Sequence, residues 1–179
     1  RPPEGLVSGA ESTVGYLVSH HQNDAFVGVN RLLKVGEDVY WLRDRRIGGG
    51  AGGTGAMYIA AKPTTRAILQ RAARDLGVDF TGVTARPTGA ALKLRAMRIG
   101  LADATGGSVS SGWTRWLLEQ YEFAFEVVPP RVFETGRLGE VYDVLILPDD
   151  TELGRDAALA PALRRFAEEG GTLIAIGSS

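Results

Sequence analysis

The sequence predicts an α/β fold built on a doubly wound, mostly parallel sheet, and three observations support this class. Short β-rich runs alternate with segments of helical spacing along the chain, which is the order expected of βαβ units. Residues 142–147 (YDVLIL) form a nearly continuous apolar run, typical of a strand buried on both faces. A turn rich in glycine and serine, residues 104–112, separates another apolar strand from a helix.

The first half of the chain contains four predicted strands and two predicted helices. The strands are residues 14–19, 39–42, 56–61 and 78–83, and the helices are residues 23–34, with Asn23 or Asp24 as the cap, and 64–76. Residues 48–55 hold six glycines in eight positions and predict a loop. No Gly-Lys-Ser/Thr ends that loop, so it is not a Walker phosphate loop. Residues 85–93 are also predicted as loop.

The second half contains the clearer pattern. Strands are predicted at residues 98–102, 125–128, 142–147 and 172–176, and helices at 112–121, capped by Ser110 or Ser111, and 161–169. We expect the strands at 98–102, 142–147 and 172–176 to be parallel, central neighbours. Residues 1–13 are interpreted as a linker from a preceding domain. Residues 14–179 are interpreted as one domain, truncated at its C-terminus.

Composition excludes several classes of function. The chain has 179 residues, 44% of them apolar, and a formal net charge of −1, so no strong field attracts nucleic acid or a membrane surface. Cysteine is absent, which excludes disulfides, thiolate metal sites and a cysteine nucleophile. No apolar run approaches the roughly 20 residues of a membrane helix. We therefore expect neither nucleic acid nor a membrane as partner.

Candidate binding residues gather at predicted carboxyl ends of strands, where open α/β sheets bind ligands. Asp103, Asp149 and Asp150 follow such strands. Their carboxylates either bind a cation or a polar ligand or are simply solvated at the strand ends. The backbone of residues 106–108 either binds an anion at the N-terminus of the following helix, or its glycines are there only because the turn requires their conformation. The ligand-binding candidates are Asp103, Gly106, Gly107, Ser108, Ser111, Trp113, Arg115, Glu119 and Asp149.

The helix after this turn carries two tryptophans. Trp113 and Trp116 share one side with Leu117, Gln120 and Tyr121, which favours packing against the sheet over stacking on a sugar or peptide ring. Arg115 and Glu119 are spaced to pair on the surface, although the same spacing would also let them face a crevice.

Five blocks of the sequence carry a further signal. They are RIGLADATGGSVSSGWTRWLLEQYEF, YDVLILPDD and FAEEGGTLIAIGSS, with HHQNDAFVGVNRLLKVGEDVYWL and GAMYIAA before them. Together they resemble a domain attached to bacterial zinc carboxypeptidases of the carboxypeptidase A type. The resemblance covers roughly residues 14–179 and implies a class I glutamine-amidotransferase-like, flavodoxin-like fold. It implies a non-catalytic accessory domain that follows the peptidase domain in one polypeptide. It also implies zinc and proteolysis in that peptidase domain, and a secreted or periplasmic location.

Catalytic groups of either family are missing or incomplete. The chain lacks the peptidase's His-x-x-Glu pair, and its adjacent His20 and His21 would face opposite sides of a strand, so we expect no metal or cofactor here. An amidotransferase places a cysteine at a sharp turn after a strand, where this chain has Ser178. Ser178 is a weak candidate nucleophile or a strand-end loop residue. The alternative functions are an amidase or hydrolase using Ser178, and a carbohydrate- or peptide-binding module.

Overall fold

The computed structural model describes residues 3–10, 13–43, 55–133, 136–149 and 159–177. The chain divides into two compact units, Arg1–Ala96 and Met97–Ser179, both within the α/β class. The boundary between them falls inside residues 14–179, for which the sequence predicted one domain. In the described part of the chain, no helix has the length and apolar character needed to span a bilayer.

The first unit carries a mixed, six-stranded sheet. Its elements are β1 (Val7–Ser8), β2 (Gly15–Val18), α1 (Asp24–Lys34), β3 (Val39–Leu42), β4 (Met57–Ala60), α2 (Thr65–Leu76), β5 (Phe80–Val83) and β6 (Ala91–Lys93). The strand order is β1-β5-β2-β4-β3-β6. From β2 to β5 the chain follows the βαββαβ order of the split-βαβ, or ferredoxin-like, arrangement.

The prediction of a mostly parallel sheet is wrong for this unit. The strand β2 pairs antiparallel with both β4 and β5, and β3 pairs antiparallel with β4 and β6. The crossovers β2-α1-β3 and β4-α2-β5 are interleaved. The strand β4 lies between β2 and β3, and β2 lies between β4 and β5. Hydrophobic pattern specifies which face of a strand is buried and does not specify its neighbours. The strand β6 lies in the predicted loop 85–93, and β1 lies in the predicted linker.

Both faces of this sheet are packed. On one face, α1 and α2 bury Leu32 and Leu69 against strand residues such as Ile59. On the other face, Leu17, Leu42 and Tyr58 are buried together with Ala56. Gly15 has no side chain to obstruct the Tyr58 ring, which lies directly against it, and the Tyr58 hydroxyl donates to the Val14 carbonyl over 3.1 Å.

The second unit carries a four-stranded parallel sheet. Its elements are β7 (Ile99–Ala102), α3 (Val109–Gln120), β8 (Phe125–Val128), α4 (Pro130–Phe133), α5 (Leu138–Val141), β9 (Val144–Leu147), α6 (Ala160–Glu168) and β10 (Thr172–Ala175). The strand order is β10-β9-β7-β8. The predicted parallel adjacency of the three apolar strands is confirmed, with β10 at the edge of the described sheet rather than at its centre. The one-turn helices α4 and α5 were not predicted.

The two faces of this sheet are covered differently. On one face, Phe133, Leu145, Leu147 and Phe166 form a buried cluster that includes the side chains of α6. On the other face, Leu118 of α3 packs with strand residues such as Leu101 and Ile146. At the amino ends of the strands, the Arg98 guanidinium donates two hydrogen bonds to the Asp143 carboxylate, from Nη2 to Oδ1 over 3.0 Å and from Nε to Oδ2 over 3.2 Å.

Candidate functional site

The carboxyl edge of the parallel sheet holds an open cavity of about 410 Å³. After β8 on one side of β7, the chain crosses to β9 on the other side, which creates the reversal point where such sheets usually bind ligands. The cavity lies beside that point, at the ends of β7 and β8. It is lined by Asp103, Ala104, Thr105, Gly106, Val127, Pro129, Pro130 and Arg131.

The glycine-rich turn connects β7 to α3 through two left-handed residues. Gly106 and Gly107 have φ of +93° and +86°, which residues with a side chain rarely adopt. The Asp103 carboxylate accepts a hydrogen bond from the Ala104 N–H over 2.9 Å. The cap of α3 is Ser108, whose hydroxyl accepts from the Ser111 N–H over 3.0 Å, so the prediction of Ser110 or Ser111 as the cap is wrong. The helix begins three residues earlier than predicted, at Val109, and Ser111 is buried within its first turn.

The predicted packing of the tryptophans against the sheet is also wrong. Trp113 is 66% exposed and Trp116 is 52% exposed, and their rings meet edge to face with centroids 6.0 Å apart. The helix instead turns Ser111 and Leu118 inward. Large apolar side chains in a helix usually mark its core side, and that rule misassigned this helix because its outer side is the more apolar one.

Arg115 and Glu119 form the surface pair that their spacing indicates, with Nε to Oε1 at 2.8 Å. The carboxylate raises the pKa of Arg115, first through this hydrogen bond and then through its charge. Both side chains are exposed, and neither lines the cavity. The pair therefore lies on the exposed surface of α3, away from the cavity.

Asp149 lies at the end of β9, against the backbone that follows β10. Gly177 has φ of +69°, and a Cβ there would collide with the Asp149 carboxylate. Asp103 and Asp149 thus follow neighbouring strands, as predicted, while Asp150 and Ser178 lie outside the described residues. The glycine-rich loop at residues 48–55 also lies outside them, except for Gly55.

The two histidines do not occupy a strand. They follow β2 in a turn, and their rings lie side by side with centroids 4.3 Å apart, so the expectation that they face opposite sides is wrong. His20 also contacts Trp41, with centroids 5.9 Å apart. Among the described residues, no group of three or more histidine, cysteine or acidic side chains is arranged to hold a metal.

Sequence reasoning missed the second wall of the cavity. Val127, Pro129, Pro130 and Arg131 come from β8 and the segment after it, while the prediction considered only the turn after β7. The available signal was the Pro-Pro pair at the carboxyl end of a strand, which stops pairing and turns the chain outward.

No protein-family model, curated protein or solved structure matches this chain.

Proposed function

We propose that this chain is a non-catalytic accessory part of a zinc metallocarboxypeptidase-like protein, and that α3 docks it onto the peptidase domain of the same polypeptide. The peptidase domain would hold the zinc and remove C-terminal residues. The observation that carries the proposal is the apolar outer side of α3. The motif resemblance supplies the identity of the neighbour.

The outer side of α3 is a continuous apolar stripe. Val109, Trp113 and Trp116 are spaced four and three residues apart, so they align along the helix. At about 100° per residue, this stripe lies roughly opposite the buried Ser111 and Leu118. Val109 is 79% exposed, the highest value among the three. A helix whose exposed side is its more apolar side is expected to bury that side against a partner.

Tryptophan gives such a surface its binding strength. A buried tryptophan removes about 150–250 Å² from water, and tryptophans are enriched among the residues that dominate protein interfaces. Large exposed apolar patches on folded proteins usually mark interaction sites. The perpendicular rings of Trp113 and Trp116 form a ridge, which fits a groove in a protein better than the flat face of a sugar.

The strand order supports the finer fold assignment within this proposal. Numbered along the chain, the four parallel strands lie in the spatial order 2-1-3-4, which matches the first four strands of flavodoxin-like sheets. The amidase or hydrolase alternative depends on Ser178, so it remains a hypothesis from the sequence.

Residue-specific footprinting tests the docking surface. Hydroxyl-radical oxidation of Trp113 and Trp116, measured by mass spectrometry, is expected to be several-fold lower in the intact polypeptide than in this chain alone. Phe123, exposed beyond the end of α3, serves as the internal reference. Equal oxidation of both tryptophans in the two proteins would contradict docking through α3.

Variants separate docking from other roles of the tryptophans. In the intact polypeptide, Trp113→Ala with Trp116→Ala is expected to make the junction between domains more sensitive to limited proteolysis. Val141→Ala, a matched change at another exposed apolar residue of the same unit, is expected to leave it unchanged. Binding of this chain to an insoluble polysaccharide, lost in the double variant, would instead support the carbohydrate-binding alternative.

A further inference from the structure

We propose that the cavity between the β7–α3 turn and the end of β8 binds a small zwitterion with an apolar side chain, either a free α-amino acid or a short peptide. The proposal is independent of docking through α3, because none of the stripe residues Val109, Trp113 and Trp116 lines the cavity.

Two opposite charges line the cavity, and neither neutralises the other. The Asp103 carboxylate is half-buried; Oδ1 accepts from the Ala104 N–H, and within the described residues no cationic side chain pairs with it. The guanidinium of Arg131 is exposed and pairs with no carboxylate in the part of the chain that the structure describes. A ligand carrying an ammonium and a carboxylate group satisfies both residues at once.

Val127, Pro129 and Pro130 form an apolar part of the lining. Val127 lies in register with Leu101 of β7, yet Leu101 is fully buried, whereas Val127 is 37% exposed and lines the cavity. Pro129 and Pro130 have no N–H to donate. These three residues offer an apolar side chain a surface to cover, while Asp103 and Arg131 bind the charged end.

The size of the cavity limits the ligand. A volume of about 410 Å³ lies at the low end of the range of roughly 300–1,000 Å³ for small-molecule pockets. It suits one amino acid or a dipeptide. Mostly apolar walls with a few placed charges are the usual composition of such pockets.

Amide-resolved NMR titration tests the ligand class with matched compounds. L-leucine is expected to give saturable shifts at Thr105, Gly106, Val127 and Arg131. N-acetyl-L-leucine lacks the ammonium group and L-leucinamide lacks the carboxylate, so each is expected to bind about tenfold more weakly, in line with the loss of one charged hydrogen bond. Leucyl-leucine distinguishes the two sources, because tighter binding than leucine assigns the site to peptides and weaker binding assigns it to free amino acids.

Charge-removing variants assign the two ends of the ligand. Asp103→Asn is expected to weaken leucine and leucinamide about tenfold and to leave acetyl-leucine unchanged. Arg131→Gln is expected to weaken leucine and acetyl-leucine and to leave leucinamide unchanged. Glu168→Gln and Arg164→Gln remove the same charges from exposed positions of α6 and are expected to change nothing. Absence of saturable shifts with both leucine and leucyl-leucine, or equal binding of all the compounds, would overturn the proposal.

Discussion

Glu37 shows how one buried carboxylate organises the start of a helix. Its Oε2 accepts from the Thr65 hydroxyl over 2.8 Å, and its Oε1 accepts from the Thr64 hydroxyl over 3.4 Å. The Thr65 oxygen in turn accepts from the Lys62 N–H over 2.8 Å. Thr64 provides no side-chain cap to α2. The chain before α2 is therefore fixed by a carboxylate that comes from the loop after α1.

Glu37→Ala is expected to lower the free energy of unfolding by about 1–3 kcal/mol, because the fully buried Thr65 hydroxyl loses its acceptor. Urea unfolding measures this change. The exposed Glu168→Ala is the control, with an expected change within about 0.5 kcal/mol. A loss for Glu37→Ala no larger than for the control would show that water replaces the carboxylate.

Asp38, the next residue, makes the stability of the first unit depend on acid pH. Hydrogen bonds from Lys93, at 2.6 Å, and from Lys62, at 3.1 Å, hold the pKa of its carboxyl below the usual 3.8. A carboxyl whose pKa is lowered in the folded state stabilises that state, and this stabilisation is fully present at pH values above the pKa of the same group in the unfolded chain. The stabilisation is lost as the pH falls from about 3.8 through the lower pKa that Asp38 has in the folded state.

Asp38→Asn should therefore be less stable than the natural chain at pH 6, and the difference should shrink below about pH 3.8. Thermal unfolding across this pH range measures both curves. Asp24→Asn removes the same charge from a carboxylate that, among the described residues, contacts no lysine. A difference for Asp38→Asn that stays constant down to pH 2.5 would rule out this origin.

At the scale of elements, neighbouring strands of the parallel sheet differ sharply in burial. Leu145 of β9 and Leu173 of β10 lie side by side in register, yet Leu145 is fully buried and Leu173 is 37% exposed. The same substitution at these two positions thus compares a covered strand with an edge strand.

Leu145→Ala is expected to lower the free energy of unfolding by about 2–5 kcal/mol, because it leaves a cavity in the core. Leu173→Ala should cost only about 1–2 kcal/mol, since its side chain is only partly removed from water. Chemical denaturation of both variants gives the comparison. Similar losses at the two positions would show that β10 is covered in solution.

Local sequence pattern predicted the individual elements well. The strands at residues 39–42 and 125–128 have the predicted bounds, and the other predicted strands and long helices agree to within a few residues. Apolar spacing and glycine stops act within each segment, so they can be interpreted without knowledge of the rest of the fold. Pairing depends on distant segments, and the interleaved strands of the first unit were therefore missed.

Only one wall of the candidate site was predicted, because the other wall depends on the pairing of distant segments. The turn after β7 is a local feature, and its glycines marked it. The opposite wall, with Arg131, depends on which strand lies beside β7, and that information is not local. The orientation of α3 was misjudged because Trp113 and Trp116 were assigned to the core by their hydrophobicity.

At the scale of the whole molecule, each unit has its own buried core. The clusters around Leu69 and Tyr58 consist of residues of the first unit, and those around Leu145 and Leu101 consist of residues of the second. Expressed separately, residues 1–96 and 97–179 should each give a dispersed amide spectrum and a cooperative melting transition.

A division within the first unit is the control for this experiment. Separating residues 1–61 from 62–96 removes β5 from β2, its antiparallel neighbour, so neither piece is expected to fold. If the fragment 1–96 or the fragment 97–179 gave a collapsed spectrum while the full chain folded, the units would not be independent.

The interleaved sheet also sets the order in which this chain can fold during synthesis. Gly15 pairs with Ala60 and with Val83, and Val7 pairs with Phe80, so the first unit cannot complete its sheet until β5 and then β6 have left the ribosome. Closing such distant contacts slows folding. In the parallel sheet, β7 pairs with β8, the next strand to be synthesised, and with β9, the strand after that. The N-terminal unit is made first, yet its contacts favour the slower folding of the two.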